Sequence, residues 1–226
     1  PQGFIFDVAG CSIFSNEEEK LKYFLGFTNS CVVKYILSAI SPTLNYEVEH
    51  IKKLPIVFNK SEEVKMLIDD LICNSKSDWD SFETSWDFKK HPFVSYATNK
   101  VSISFEMWSK ECNERFKQLK TNEEELNRIF IDIYGLQDEL TPKVEDKDVT
   151  VRQADLQRDI KSLISYAVGC MFGRYSLDED GLAYAGGEWD SSKYDTFIPD
   201  EDNCIPITDE EYFEDDIVGL FCAWLK

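Results

Sequence analysis

VSISFEMWSKECNERFKQLKTNEEELNRIFIDIYG, residues 101–135, forms the longest helical pattern in the chain. An apolar side chain recurs every seven residues, at Phe105, Cys112, Leu119, Leu126 and Ile133. Four further apolar side chains lie beside this row, at Trp108, Phe116, Ile129 and Phe130. This spacing is typical of a coiled-coil-like seam. Thr121 and Glu124 fit a capping box, so the pattern predicts either one long helix or two joined near Lys120. Gly135 is predicted to end it.

Further helices are predicted on both sides of this stretch. Downstream, an apolar face indicates a helix of roughly 20 residues, at Leu156, Ile160, Leu163, Ile164, Ala167, Val168 and Met171. Gly169 and Gly173 lie four residues apart, a spacing that permits another helix to approach closely. A second capping box, Thr208 with Glu211, predicts the start of a last helix that runs through Trp224.

The first 57 residues predict a small mixed segment. Gly3–Val8 is short, apolar and β-prone, and Thr43–Val48 is extended in character. Two helices lie between them, separated at Asn29-Ser30, and another is expected over Glu62–Cys73. The predicted fold class is therefore helix-dominated α+β, with a small recognition-type subdomain followed by a helical domain that carries an acidic irregular insertion.

Three regions follow from these patterns. We expect a subdomain over residues 1–75, an aromatic connector over 76–100 and a helical domain over 101–226, with an acidic irregular segment at 175–207. Aromatic side chains of the connector favour anchoring to a core over stacking on bases, at Trp79, Phe82, Trp86, Phe88 and Phe93.

Charge excludes one class of function. The 226 residues carry 24 basic and 43 acidic side chains, for a formal net charge of -19, so the chain is not a uniformly basic nucleic-acid binder. Residues 175–226 alone contain 15 acids and two lysines. No apolar run approaches the ~20 residues of a membrane span, and the sequence predicts a soluble protein without membrane partners.

Known catalytic and metal-binding patterns are absent from the sequence. The seven cysteines lie 18 or more residues apart with no C-x-x-C pair, which disfavours a zinc site and favours a reduced, cytoplasmic compartment. His50 and His91 have no neighbouring nucleophile, and surface or capping roles are expected for both. We predict no catalytic, cofactor-binding or metal-binding residue in this chain. An excised piece of a longer protein is expected, because the chain begins at Pro1.

A weakly basic strip supplies the only candidates for contact with DNA phosphates. These candidates are Lys34, Lys52, Lys53, Lys89 and Lys90, with Lys60 between the two groups. By pattern alone, a solvated face is the favoured interpretation of the same residues.

Two stretches carry a family resemblance. FLGFTNSCVVKYIL (24–37), PTLNYEV (42–48) and IKKLPI (51–56) resemble the end of a target-recognition domain of bacterial adenine DNA methyltransferases. Thr28, Cys31 and Glu47 depart from the usual Leu, Lys and Gln, which removes one cation and adds one anion. NEEELNRIFIDIYGLQDEL (122–140), ISYAVGCMFGRYS (164–176) and GLAYAGG (181–187) closely resemble the C-terminal part of PglX-like adenine-specific methyltransferases of BREX phage-exclusion systems, which are related to combined restriction-modification enzymes.

This resemblance implies N6-adenine methylation from S-adenosylmethionine on a base flipped out of double-stranded DNA. The family's Asn-Pro-Pro-Tyr tetrapeptide and its glycine-rich cofactor motif do not occur here, so catalysis and cofactor are expected in the parent enzyme and this piece alone is predicted to be inactive. The expected role is a non-catalytic DNA-recognition and helical region in the bacterial cytoplasm.

Two other functions stay open. The acidic half could dock a partner protein of the defence system, or the chain could be an acidic DNA mimic. We expect residues 175–216 to face away from DNA, and any exposed aromatic side chain there to mark a protein interface.

Overall fold

A computed structural model describes residues 11–41, 46–96, 98–210, 212–213 and 215–226. Eight α-helices lie in this part of the chain: α1 (Glu18–Asn29), α2 (Cys31–Ile40), α3 (Val48–Lys52), α4 (Ser61–Asp80), α5 (Pro92–Ser95), α6 (Val101–Tyr134), α7 (Leu156–Met171) and α8 (Ile217–Trp224). Single 3-10 turns occur at Asp146–Asp148 and Ser191–Lys193.

The predicted α+β fold class is wrong, because the described residues contain helices and no β-strand. The predicted strand Gly3–Val8 lies outside them, as do residues 43–45 of the second extended segment, and Val48 begins α3. The extended stretch after α3 needs no partner strand. The Tyr134 hydroxyl donates to the Pro55 carbonyl and the Tyr23 hydroxyl donates to the Val57 carbonyl, so side chains satisfy backbone groups that a sheet would otherwise pair.

The chain folds into two compact units that are not continuous in sequence. Unit 1 contains residues 1–75 and 115–151, and unit 2 contains residues 76–114 and 152–226. Two of the three points where the chain passes from one unit to the other fall inside helices α4 and α6.

Unit 1 is built around α1 and α2, which meet at a bend of 67°. Ser30 starts α2 as its N-cap and accepts a hydrogen bond from Val33 N at 3.4 Å, so the predicted break at Asn29-Ser30 is confirmed. The core contains side chains of α1, α2, α4 and α6 and of the segment after α3, namely Tyr23, Phe27, Val32, Val33, Leu37, Leu54, Val64, Ile68, Leu126, Ile129, Phe130 and Ile131.

The heptad pattern produces one helix rather than two. α6 is continuous over 34 residues, so the first of the two predicted alternatives, one long helix, is confirmed and Thr121 lies inside it rather than at a cap. Glu124 instead accepts a hydrogen bond from Val144 N at 3.1 Å and holds the following loop. Gly135 ends the helix as predicted, with φ at 66° and with Leu136 N bonded to Ile131 O at 3.0 Å, the arrangement of a Schellman motif.

Unit 2 has its own core, centred on α7. Asp155 is the N-cap of α7 and accepts from Arg158 N at 2.7 Å. The buried core residues are Phe88, Phe93, Trp108, Cys112, Leu163, Tyr166, Ala167, Cys170, Met171, Tyr175 and Trp224. Gly169 and Gly173 do not admit another helix, because the rings of Tyr175 and Trp189 occupy the space beside them.

The acidic region between α7 and α8 is mostly irregular and is held by side-chain hydrogen bonds. Asp178 accepts hydrogen bonds from the Thr196 hydroxyl, from Thr196 N at 2.9 Å and from Asp195 N at 2.8 Å, and these bonds lower its pKa, the one from the hydroxyl most of all. The predicted start of the last helix is wrong. α8 begins only at Ile217, with Asp216 as its N-cap, and Thr208 bonds to Asp216 from outside the helix; Glu211 lies outside the described residues.

No single helix in the described ranges has both the length and the apolarity needed to span a membrane. The bent pair α1 and α2 has both when the two are taken together.

Candidate functional site

Lys34 is presented by the outer face of α2. Val32, Val33 and Leu37 point into the unit 1 core, which leaves Lys34 exposed. Among the residues that the structure describes, Lys34 forms no ion pair. Its charge is therefore available to a ligand.

Lys52 and Lys53 lie at the C-terminal end of α3. A capping box fixes the start of this helix, because Glu47 N donates to His50 Nδ1 at 3.2 Å. Lys52 Nζ pairs with Glu49 at 2.8 Å, and this hydrogen bond lowers the pKa of Glu49. Lys53 is exposed and has no carboxylate partner in the described part of the chain. Surface pairs such as Lys52–Glu49 are weak and readily exchanged.

The segment after α3 is held to unit 1 by two tyrosines. Tyr23 OH donates to Val57 O at 2.6 Å, and Val57 N donates to Tyr134 OH at 3.1 Å. Burial raises the pKa of both phenols. These contacts, together with the buried side chain of Leu54, hold the segment that follows Lys52 and Lys53 against unit 1.

Lys89 and Lys90 lie in unit 2, where their side chains form ion pairs and a hydrogen bond. Lys90 Nζ donates to Leu177 O at 2.8 Å, and Asp180 lies 3.4 Å from Lys89 Nζ and 3.8 Å from Lys90 Nζ. Gly181 N also donates to Lys89 O at 2.9 Å. The two lysines therefore hold the 177–181 loop, and their charges are partly balanced.

A cleft of about 460 Å³ lies beside Lys89 in unit 2. Its lining mixes cations, carboxylates and aromatic rings: Lys76, Asp80, Trp86, Asp87, Phe88, Lys89, Asp180 and Gly181. Trp86 is 77 % exposed. Three aspartates against two lysines give this cleft no net positive charge that would favour a phosphate.

The aromatic side chains of residues 76–100 differ in their burial. Phe88 and Phe93 are buried in the unit 2 core, which confirms anchoring for these two. The Arg152 guanidinium stacks over the Phe82 ring, 3.8 Å from the ring centroid, and Arg152 Nε donates a hydrogen bond to Asp78 at 3.0 Å. Trp79 and Trp86 are exposed.

Sequence reasoning missed a buried carboxylate in unit 2. Asp159 accepts from Trp108 Nε1 at 2.9 Å, from Asp155 N at 3.0 Å and from Arg158 Nε at 2.7 Å. His91 is buried beside it as the N-cap of α5, accepting from Phe93 N at 3.3 Å. Burial lowers the pKa of His91 to about 4. The only sequence signal for this network was an acid in the first turn of a helix.

The buried nucleophiles of unit 2 are unsuited to covalent catalysis. Burial raises the pKa of the Cys170 thiol to about 11 and raises that of the Tyr166 phenol further. Both groups stay protonated at neutral pH, whereas a reactive cysteine needs a depressed pKa. His50 and His91 are capping residues, as the sequence predicted.

Within the described ranges, no group of three or more His, Cys, Asp or Glu side chains is arranged to hold a metal ion. All seven cysteines are free thiols, and Cys112 and Cys170 are buried on helix faces.

Comparison with known proteins gives a close relationship to methyltransferases. No family model matches the chain. The chain is 50 % identical over 221 residues, 96 % of its length, to the adenine-specific methyltransferase PglX of Lacticaseibacillus casei (strain Zhang). It is 33 % identical over 97 % of its length to the adenine-specific methyltransferase BrxX of Escherichia coli O9:H4 (strain HS). The chain spans 18 % and 20 % of these curated relatives, about a fifth of their length. The predicted resemblance to PglX-like enzymes is confirmed.

Proposed function

We propose that this chain, which matches one section of PglX and BrxX, is a non-catalytic DNA-holding region of a bacterial N6-adenine DNA methyltransferase used in phage defence or restriction-modification. The similarity over 96 % of the chain carries the proposal. Asn-Pro-Pro-Tyr and a glycine-rich cofactor motif are absent from the sequence. We therefore assign S-adenosylmethionine, methyl transfer and the flipped adenine to the rest of the enzyme, in the bacterial cytoplasm.

Double-stranded DNA is the proposed ligand of unit 1. Lys34 and Lys53 are exposed and lack ion pairs among the described residues, and Lys52 is released from Glu49 at low cost. An ammonium group that binds a phosphate releases a counterion and adds affinity without reading sequence. Lys89 and Lys90 are weaker candidates in this proposal, because a phosphate would have to compete with Asp180.

Salt-dependent DNA binding by the full-length enzyme tests this role. The K34A/K53A double variant should bind all sequences more weakly, and the slope of log K against log salt should fall by about one per lost contact. The matched control is Lys20→Ala, which removes an exposed lysine of the same unit that already pairs with Glu17 at 2.5 Å. The proposal fails if the double variant keeps wild-type affinity and slope, or if Lys20→Ala has an equal effect.

Docking of a partner protein is the second candidate function. It is favoured by aromatic side chains left exposed in the acidic region, Trp189, Tyr212 and Phe213. A solvated acidic tail gains nothing from exposed rings, whereas protein interfaces are enriched in them. The DNA-mimic alternative predicts that the isolated chain displaces DNA from DNA-binding enzymes in direct competition.

A further inference from the structure

The half-exposed indole of Trp189 packs against two tyrosine rings in unit 2. Its ring is stacked on Tyr194, with centroids 4.7 Å apart and planes 8° apart. Tyr184 meets it edge-on at 5.3 Å. Tyr194 is buried, and its hydroxyl donates to Gly173 O at 2.6 Å. The indole is thus packed on Tyr194 while 50 % of the Trp189 residue remains exposed.

The Trp189 indole also packs beside the backbone of Gly173. This glycine follows α7 with φ at 70°, and Arg174 N donates to Gly169 O at 2.8 Å, as in a Schellman motif. A Cβ atom at Gly173 would lie 2.7 Å from the Trp189 ring. The indole therefore packs directly against the backbone at Gly173 as well as on Tyr194, and these contacts reduce the conformational entropy that is lost when a ligand binds.

The surroundings of Trp189 are acidic. Glu188 and Asp190 flank it in sequence, and hydrogen bonds from Ser192 lower the pKa of Asp190. Residues 174–200 contain seven acids against Arg174 and Lys193, and Lys193 Nζ is directed to Ala183 O at 3.0 Å. A negative potential attracts cations and repels phosphates.

We propose that the Trp189 platform, formed by Trp189, Tyr194 and Tyr184, binds an arginine side chain of a basic partner protein. A guanidinium stacks flat on aromatic rings and bonds to carboxylates at the same time, whereas an ammonium is more strongly hydrated. The surrounding acids supply the complementary charge that speeds association and selects the partner. This inference rests on the second candidate function and identifies the chemistry of its ligand.

Fluorescence anisotropy with labelled hexa-arginine and the full-length enzyme tests the platform. Trp189→Ala should weaken hexa-arginine binding by about fivefold to thirtyfold. The matched control is Trp86→Ala, which removes the more exposed tryptophan from the cleft where Lys76 and Lys89 repel a cation and should change binding less than twofold. Wild-type enzyme should bind hexa-lysine less tightly than hexa-arginine.

A second variant separates recognition from folding. Trp189→Leu keeps an apolar cover over Gly173 and Tyr194 but removes the aromatic face, so the preference for arginine over lysine should disappear while the thermal transition is retained. The proposal is overturned if Trp189→Leu keeps the arginine preference, if the two tryptophan variants behave alike, or if an oligonucleotide binds at Trp189 in place of the peptide. Both Trp189 variants should bind DNA like wild type, so their failure is distinct from failure of the lysine proposal.

Discussion

The side-chain oxygen of Asn127 accepts a hydrogen bond from the backbone N–H of Cys31 at 2.8 Å, across 96 residues of sequence. Cys31 is the first residue of α2, where backbone N–H groups have no partner within the helix. Asn127 Nδ2 donates to Pro142 O at 3.2 Å. A single amide on α6 therefore joins the start of α2 to the loop that follows α6.

Replacing Asn127 should expose what this amide contributes. Asn127→Ala leaves both partners unsatisfied and should destabilise unit 1 by about 1–3 kcal/mol. Asn127→Asp retains the acceptor for Cys31 N and should cost less. Hydrogen exchange of the α2 amides in the full-length protein measures both effects. Equal protection in wild type and Asn127→Ala would contradict the prediction.

The buried histidine of unit 2 should make stability depend on pH. The pKa of His91 in the folded state, about 4, lies below its ordinary value of 6.5. Between these values the unfolded chain binds more protons, so stability falls as pH falls from 6.5 toward 4, by about 3 kcal/mol at the limit. The shift stabilises nothing above pH 6.5, where both states are neutral at this group.

His91→Asn isolates this contribution to the pH dependence. Asparagine can still cap α5 but does not titrate. The difference in unfolding free energy between wild type and His91→Asn, measured by urea titration of the full-length protein, should change across pH 4–6.5 and stay constant above it. A difference that is flat throughout would show that His91 is not held neutral by burial.

Two helix-ending glycines form a matched pair for substitution. Gly135 and Gly173 have similar φ angles of 66° and 70°, but a Cβ meets nothing within 4 Å at Gly135 and meets the Trp189 ring at Gly173. Gly135→Ala should cost about 1 kcal/mol from backbone strain alone. Gly173→Ala should cost clearly more and should shift the Trp189 fluorescence. Equal costs would mean that Trp189 moves aside freely.

Local sequence patterns predicted the helices well where packing and propensity agree. The apolar heptads of α6, the break at Ser30 and the ending at Gly135 each combine a periodic core face with the residue that the backbone geometry requires. Thr121 failed as a capping residue because the apolar row continues through it, and a continuous buried face outweighs a motif of four residues. Thr208 failed because Asp216 supplies the cap nearer to the apolar residues of α8.

The partners of charged side chains were beyond sequence reasoning. The five candidate lysines look equivalent in a pattern, yet Asp180 lies about 90 residues from Lys89 and reaches it only through the fold. Similarly, nothing in the sequence indicates that Trp189 packs against Gly173 and Tyr194 while half of the residue remains exposed. Such arrangements depend on long-range contacts that residue spacing does not encode.

The interleaving of the two units constrains how the chain folds during synthesis. Residues 76–114 leave the ribosome before the second part of either unit, and Phe88, Phe93 and Trp108 then lack the α7 side chains that bury them. Unit 1 can close once residue 151 has emerged, while this apolar segment must wait for residues 152–226. Apolar surface exposed in this way is a site where chaperones bind a nascent chain, and a truncation before α7 would leave these three side chains without the residues that bury them.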